Sequence, residues 1–211
     1  MTDRAAIKRG AAALGIDLPD AAADRLAAYA RLLLKWNRTY NLTAIRDPRL
    51  VISHHLLDAL SVLPHLGAIE RLADVGSGGG LPGIPLAIAS PLLQVVSIEA
   101  VGKKASFQCQ ARIELGLDNF RPVHSRIEQW HDDRGFDVVV SRAFSDLAEL
   151  ARVAAPLLVP GGRLLAMKGT RPQQELAGLP DGVAVSEVIE LQVPGVDAER
   201  HLIVMTCEGA A

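Results

Sequence analysis

Four glycines, Gly76, Gly78, Gly79 and Gly80, fall within five positions, and an acid, Asp74, stands two residues before the first of them. A packed core has no use for such a cluster. Glycine adopts positive φ without strain and lets a backbone come close to a ligand, while a helix opening after the loop presents unpaired N–H groups. A second acid, Glu99, lies 23 residues past Gly76, at the end of the next apolar run. A carboxylate in that place reaches both hydroxyls of a ribose. Together these residues could hold a cofactor that contains a nucleoside.

Other residues suit the handling of a second, larger ligand. Arg142 follows the apolar run 136–141. Side chains that meet ligands in an open α/β sheet project from the carboxyl ends of central strands. Arg142 could contact the cofactor or a phosphate. Phe144 is placed either to stack on a flipped base or to fill the core. Lys168 is a candidate cation at the rim. Lys35, Arg38 and Arg46 flank Trp36, Tyr40 and Asn41, a mixture of cations and aromatics able to engage RNA, with Trp36 itself expected in the core. His54 and His55 have no neighbours at metal-ligand spacing and read as structural; no metal site is expected.

The elements that must position these groups follow from periodicity. Residues 1–66 read as helical, with Leu26, Ala30, Leu33 and Trp36 or Asn37 on one face. Asp20 after Pro19 reads as an N-cap, and Asp47 before Pro48 as another. From residue 71 the pattern changes. Strand candidates at 71–75, 94–99, 120–124, 136–141 and 163–168 alternate with helical segments at 81–89, 103–115 and 146–158 and a short piece near Gln173. This alternation predicts βαβ units and a parallel sheet covered on both faces. The runs 183–192 and 200–207 are joined by a link too short for a parallel crossover, so they should pair antiparallel. The expected fold is α/β: a Rossmann-like, mostly parallel sheet over 67–211 closed by an antiparallel C-terminal hairpin, as in class I S-adenosylmethionine-dependent methyltransferases, with a helical extension over 1–66 packed on it. The loop agrees. A dinucleotide site, Gly-x-Gly-x-x-Gly, requires glycine where this chain has Leu81, whereas residues 74–80 read Asp-x-Gly-x-Gly-x-Gly, the usual first motif of those methyltransferases. There the acid lies near the amino-acid end of the cofactor.

Composition sets the outer bounds. The chain has 211 residues, 49% hydrophobic, enough for one domain with an appendage and too apolar for disorder. Net charge is −2, yet residues 1–49 hold nine Lys and Arg against five Asp and Glu, and residues 50–211 hold thirteen against nineteen. A basic docking surface on a near-neutral body would leave that asymmetry. Cys109 and Cys207 are far apart and read as reduced core thiols, not a disulfide or zinc set. No apolar run reaches the roughly 18 residues of a membrane span, and the first residues carry no apolar leader, so a cytoplasmic location is expected.

The segments LLLKWNRTYNLTAIRDP, HHLLDAL, DVGSGGGLPGIPLAI, VGKKASF, SRIEQW, FDVVVSRAF, LLAMKG and ERHLIV occur in that order over nearly the whole chain. In these it resembles the bacterial RsmG, or GidB, family of 16S rRNA guanine-N7 methyltransferases. The resemblance implies S-adenosyl-L-methionine as cofactor and 16S rRNA of the small subunit, or its precursor, as partner. It puts cofactor contacts on Gly76, Leu81, Ile127, Glu128 and Arg142, beside Asp74, Gly78 and Glu99 of the loop reading. With RNA as substrate, the contacts would fall to the cations already singled out, Lys35, Arg38, Arg46 and Lys168, and Arg142 would reach a phosphate or guanine O6, since donation to N7 would occupy the reacting lone pair. Glu99 stands where many members have Asp, one methylene shorter, and Gly79 where Pro is common, which suggests a looser loop. Methyl transfer to N7 needs alignment but no general base, because N7 carries a lone pair and no proton. The chain lacks the Asn/Asp-Pro-Pro-Tyr/Phe element of exocyclic-amine methyltransferases and a well-placed cysteine nucleophile. A methyltransferase acting on a protein or small molecule, or a non-catalytic rRNA-binding assembly factor, are the alternative readings.

Overall fold

A computed structural model describes residues 4–142, 144 and 146–207. Helices α1 (Arg4–Ala13) and α2 (Asp20–Tyr40) lead into α3 (Pro48–Val51), which runs on through a π-helical stretch, Ile52–Leu57, into α4 (Asp58–Leu60). Asp47 caps α3 as expected, its Oδ1 accepting the Arg49 N–H at 2.8 Å, with Pro48 at the first helical position. Asp20 departs from expectation. It is the first residue of α2 and makes no cap bond; its carboxylate pairs with Arg4 and Lys8, tying α1 to α2.

Seven strands form one sheet in the order β3-β2-β1-β4-β5-β7-β6. They are β1 (Arg71–Val75), β2 (Gln94–Glu99), β3 (Phe120–His124), β4 (Phe136–Ser141), β5 (Leu158–Lys168), β6 (Val183–Glu190) and β7 (His201–Cys207). The first five pair parallel, and β7 runs antiparallel to both β5 and β6. This is the expected sheet. Helices α5 (Gly83–Ala89), α6 (Gly102–Leu115) and α7 (Leu147–Ala154) make the crossovers, and a short α8 (Gln173–Ala177) follows β5. Two boundaries differ from the expected ones by more than two residues. The helix of 146–158 stops at Ala154 in a 3-10 turn, Ala155–Leu157, because Pro156 has no N–H to continue it. Strand β5 then begins at Leu158, five residues early. Its partner register jumps from Phe136↔Leu158 to Val138↔Arg163, so residues 159–162, with Gly161 and Gly162, bulge out of the ladder and disguise the strand's start.

Side chains alternate between two apolar layers. Leu72, Val95, Val138, Leu165 and Leu202 join the core under α5, α6 and the N-terminal helices. Ala73, Val96, Val139, Leu164 and Ile203 join the core under α7. Covering both faces makes the strands read as continuous apolar runs. The two cysteines are not core thiols as expected: Cys109 is exposed and Cys207 half-buried, and both are free. Among the described residues, no helix is long and apolar enough to cross a membrane. The chain leaves β1 toward β2 on one side, while β4 lies on the other. Beyond the carboxyl ends of β1 and β4 is therefore the topological switch point where open α/β sheets bind ligands.

Candidate active site

The glycine loop joins β1 to α5 at this switch point. Gly76, Gly78 and Gly80 have φ of 68°, 58° and 82°. A Cβ on Gly78 would meet nothing within 4 Å, so this bend faces open space. The loop's other side is tightly held. The buried Tyr29 of α2 donates its hydroxyl to the Gly79 carbonyl at 2.7 Å, and a Cβ on Gly79 would stand 3.0 Å from Leu33. Glycine at 79 thus does not loosen the loop as expected; it lets α2 press against it. From beneath, Ser97 and Gln108 donate to Ser77 Oγ at 2.6 and 2.7 Å, and Gln108 also donates to the Gly78 carbonyl at 2.9 Å. Leu81 is buried, with its N–H donated to the Ser77 carbonyl.

Two carboxylates border the loop. Asp74 is fully buried; its Oδ2 accepts the Gly83 N–H at 2.7 Å, and its Oδ1 has no protein partner. Burial pushes its carboxyl up to about 7, against the Gly83 bond and the charge of Arg142, which pull it down. Position 83 has no room for a side chain, since a Cβ there would lie 2.7 Å from Asp74 Oδ2. Glu99 is also buried. Its Oε2 accepts the Gly78 N–H at 2.7 Å and its Oε1 the Val101 N–H at 2.8 Å. Each oxygen retains acceptor capacity for a hydroxyl. Ile127, buried, and Glu128, exposed, lie on the turn after β3, where Ser125 N–H donates to the Glu99 carbonyl at 3.1 Å.

Arg142 leaves β4 toward a cavity of about 380 Å³, lined in part by His54, Asp58, Lys168 and Arg200. Asp58 is only 3% exposed. Its Oδ2 accepts from Arg142 Nη1 and its Oδ1 from Arg200 Nε, both at 3.1 Å. Arg142 Nη1 also donates to the His54 carbonyl at 3.3 Å. The π-helical stretch widens the turn that carries both histidines, and such bulges are frequent at functional sites. His55 is structural, as expected: it bonds Thr43 Oγ1 at 2.7 Å, and burial, then the charge of Arg142, lowers its pKa to about 4. His54 is bonded too, its Nδ1 to Ser53 Oγ at 2.8 Å, and both histidines line the cavity. Arg142 follows Ser141, whose hydroxyl donates to the Val75 carbonyl at 2.7 Å just before the loop, so it stands between the loop and the cavity it lines.

The remaining predicted residues divide. Lys168 lines the cavity but is engaged, donating to Glu175 at 2.7 Å and to the Phe144 carbonyl at 3.1 Å. Phe144 is half-buried against the core under α7. Arg38 and Arg46 are exposed and share a smaller depression of about 270 Å³ with Pro48, and Lys35 is exposed on α2. Trp36 is half-buried, set edge-on to Phe107 at 5.6 Å between ring centroids. Sequence reasoning missed Tyr29, Asp58 and Arg200. A signal existed for Asp58: an acid inside the apolar run Leu56, Leu57, Ala59, Leu60 is buried, and a buried charge needs partners. Among the described residues, no three metal-ligating side chains gather. The arrangement offers hydroxyl acceptors at Glu99, a buried carboxylate at Asp74, and cations in the cavity.

Residues 22–203 match the family described as rRNA small subunit methyltransferase G, GidB. Ribosomal RNA small subunit methyltransferase G of Azoarcus sp. (strain BH72) is 58% identical over 93% of this chain and 92% of its own. Its namesake in Neisseria meningitidis serogroup A is 51% identical over 95% and 96%. Among solved structures, a SAM dependent methyltransferase from Aquifex aeolicus superposes with a TM-score of 0.57 at 19% identity, covering 75% of this chain and 93% of that one. That likeness shows the methyltransferase fold. With the family match spanning most of its length, this chain belongs to the rRNA small subunit methyltransferase G family.

Proposed function

We propose that the protein transfers a methyl group from S-adenosyl-L-methionine to N7 of a guanine in the 16S rRNA of the small ribosomal subunit or its precursor. Family membership supports methyl transfer and the rRNA substrate. The choice of N7 rests on the cavity. S-Adenosylmethionine supplies an electrophilic methyl on a sulfonium, which an in-line lone pair takes without loss of a proton. An exocyclic amine would instead need a base to accept its proton. The one carboxylate lining the cavity among the described residues is Asp58, and each of its oxygens holds an arginine. With no unengaged carboxylate among the described residues lining it, the cavity suits N7, which needs only to be positioned.

The loop fits the cofactor. Asp74 Oδ1, buried and without a protein partner, would accept from its ammonium group. Glu99 would take the ribose hydroxyls. Gly78 allows close approach, with Gly76, Leu81, Ile127 and Glu128 bordering the same site and Arg142 closing it toward the cavity. Residues 1–66 act as a helical extension of the catalytic unit over 67–211. They brace the loop through Tyr29 and offer Lys35, Arg38 and Arg46 to the RNA. Work on ribosomal RNA puts the protein in the cytoplasm.

The test is chemical mapping of 16S rRNA from a strain lacking the gene and from the same strain complemented with it. Borohydride and aniline cleave at N7-methylguanine. The expected result is a cleavage present only on complementation. Identical patterns in the two strains would contradict the proposal.

A further inference from the structure

Asp58, Arg142 and Arg200 come from three distant segments, the last two 84 and 142 positions from Asp58. They meet at one buried carboxylate on the cavity wall. Burying a charge is costly unless it is paired, and here each carboxylate oxygen is matched by one guanidinium. The arginines are not consumed by the pairing. Arg200 spends Nε on Asp58 and Nη1 on the Glu199 carbonyl at 2.8 Å; its Nη2 donates to no atom of the described residues. Arg142 spends Nη1, and its Nε and Nη2 donate to no atom of the described residues. The two side chains are 28% and 24% exposed, enough to reach a ligand and too little to swing freely. Lys168 on the same wall is balanced by Glu175. With Asp58 offsetting one arginine, the cavity is left with one net positive charge, the complement of a single phosphodiester anion.

We infer that this cavity is a phosphate subsite for the RNA chain next to the target base. Arg200 is its phosphate-binding residue, and Asp58 is a positioning residue that fixes Arg200 relative to Arg142. The inference rests on the functional reading above and adds to it the group recognised. Arg142, between loop and cavity, faces the cofactor, and Arg200 faces the RNA. One carboxylate sets the spacing between the two substrates, which is what an in-line transfer depends on.

The test uses the full-length enzyme, labelled S-adenosylmethionine, and small ribosomal subunits from a strain lacking the gene. Arg200→Gln should raise KM for the subunits about tenfold and reduce the slope of log KM against log salt by about 0.7–0.9, the share of one phosphate contact. Its Kd for S-adenosylmethionine should stay within about twofold of wild type, since Arg200 is placed on the RNA side. Arg200→Lys keeps the charge but loses the planar fork, so the slope should remain and kcat fall about tenfold. It also serves as the test if the glutamine variant does not fold. Asp58→Asn keeps both cations, so KM should hold while kcat falls at least about tenfold from lost alignment. A salt slope unchanged in Arg200→Gln, or retained kcat in both Arg200→Lys and Asp58→Asn, would overturn the subsite while the wild type remains active. A wild-type enzyme that methylates no small-subunit rRNA would overturn the functional reading and the subsite with it.

Discussion

Asp74 and His55 are both buried titratable groups, and they respond to pH in opposite ways. The Asp74 carboxyl rises from 3.8 to about 7 on folding, so between those values the folded chain holds a proton that the unfolded chain has lost. Stability from this group therefore falls as pH rises through the window, while an ammonium ligand favours the ionised form. Cofactor affinity should rise about tenfold between pH 6 and pH 8 by calorimetry, and Asp74→Asn should flatten the profile and weaken binding throughout. A flat wild-type profile would contradict the role. His55 drops from 6.5 to about 4, so the unfolded chain binds its proton first. Stability present above pH 6.5 is lost as pH falls toward 4, by about 3 kcal/mol, and His55→Gln should remove that part of the acid sensitivity in denaturant titrations. Gly83→Ala drives a Cβ to 2.7 Å from Asp74 Oδ2 and should cost about 1–3 kcal/mol by thermal unfolding.

At the scale of elements, α2 does more than cover the sheet. Its apolar stripe was legible from spacing alone: Leu26, Ala30 and Leu33 are all buried. What spacing does not reveal is that Tyr29, on the same helix, reaches a carbonyl 50 residues away. Tyr29→Phe removes the donor and leaves that carbonyl buried and unpaired, so stability should fall by about 1–3 kcal/mol. Cofactor affinity should fall with it, because the loop loses its brace; unchanged affinity would mean the brace is structural only. The strands were legible because each is an apolar run between turn signals. The early start of β5 was not, because Gly161 and Gly162 read as a turn when the ladder in fact resumes beyond them. The π-helical stretch was equally hidden, since its residues have the composition of an ordinary helix.

At the scale of the whole molecule, the candidate site draws on both ends of the chain. The loop, Glu99 and Arg142 could be read from sequence because each sits at a strand end, where position follows from local pattern. Asp58 and Arg200 could not, since no local pattern joins an acid on an N-terminal helix to an arginine before the last strand. Lys35, Arg38 and Arg46 of the basic N-terminal part are all exposed, as residues of a docking surface would have to be. The central claim is that cofactor loop and cavity act together on ribosomal RNA. The most direct measurement incubates purified protein with methyl-labelled S-adenosylmethionine and small subunits from a strain lacking the gene, then separates RNA from protein. The account predicts label in the 16S rRNA, approaching one methyl per subunit, and none when subunits from the complemented strain are used. Label in ribosomal protein, or no transfer to either fraction, would contradict it.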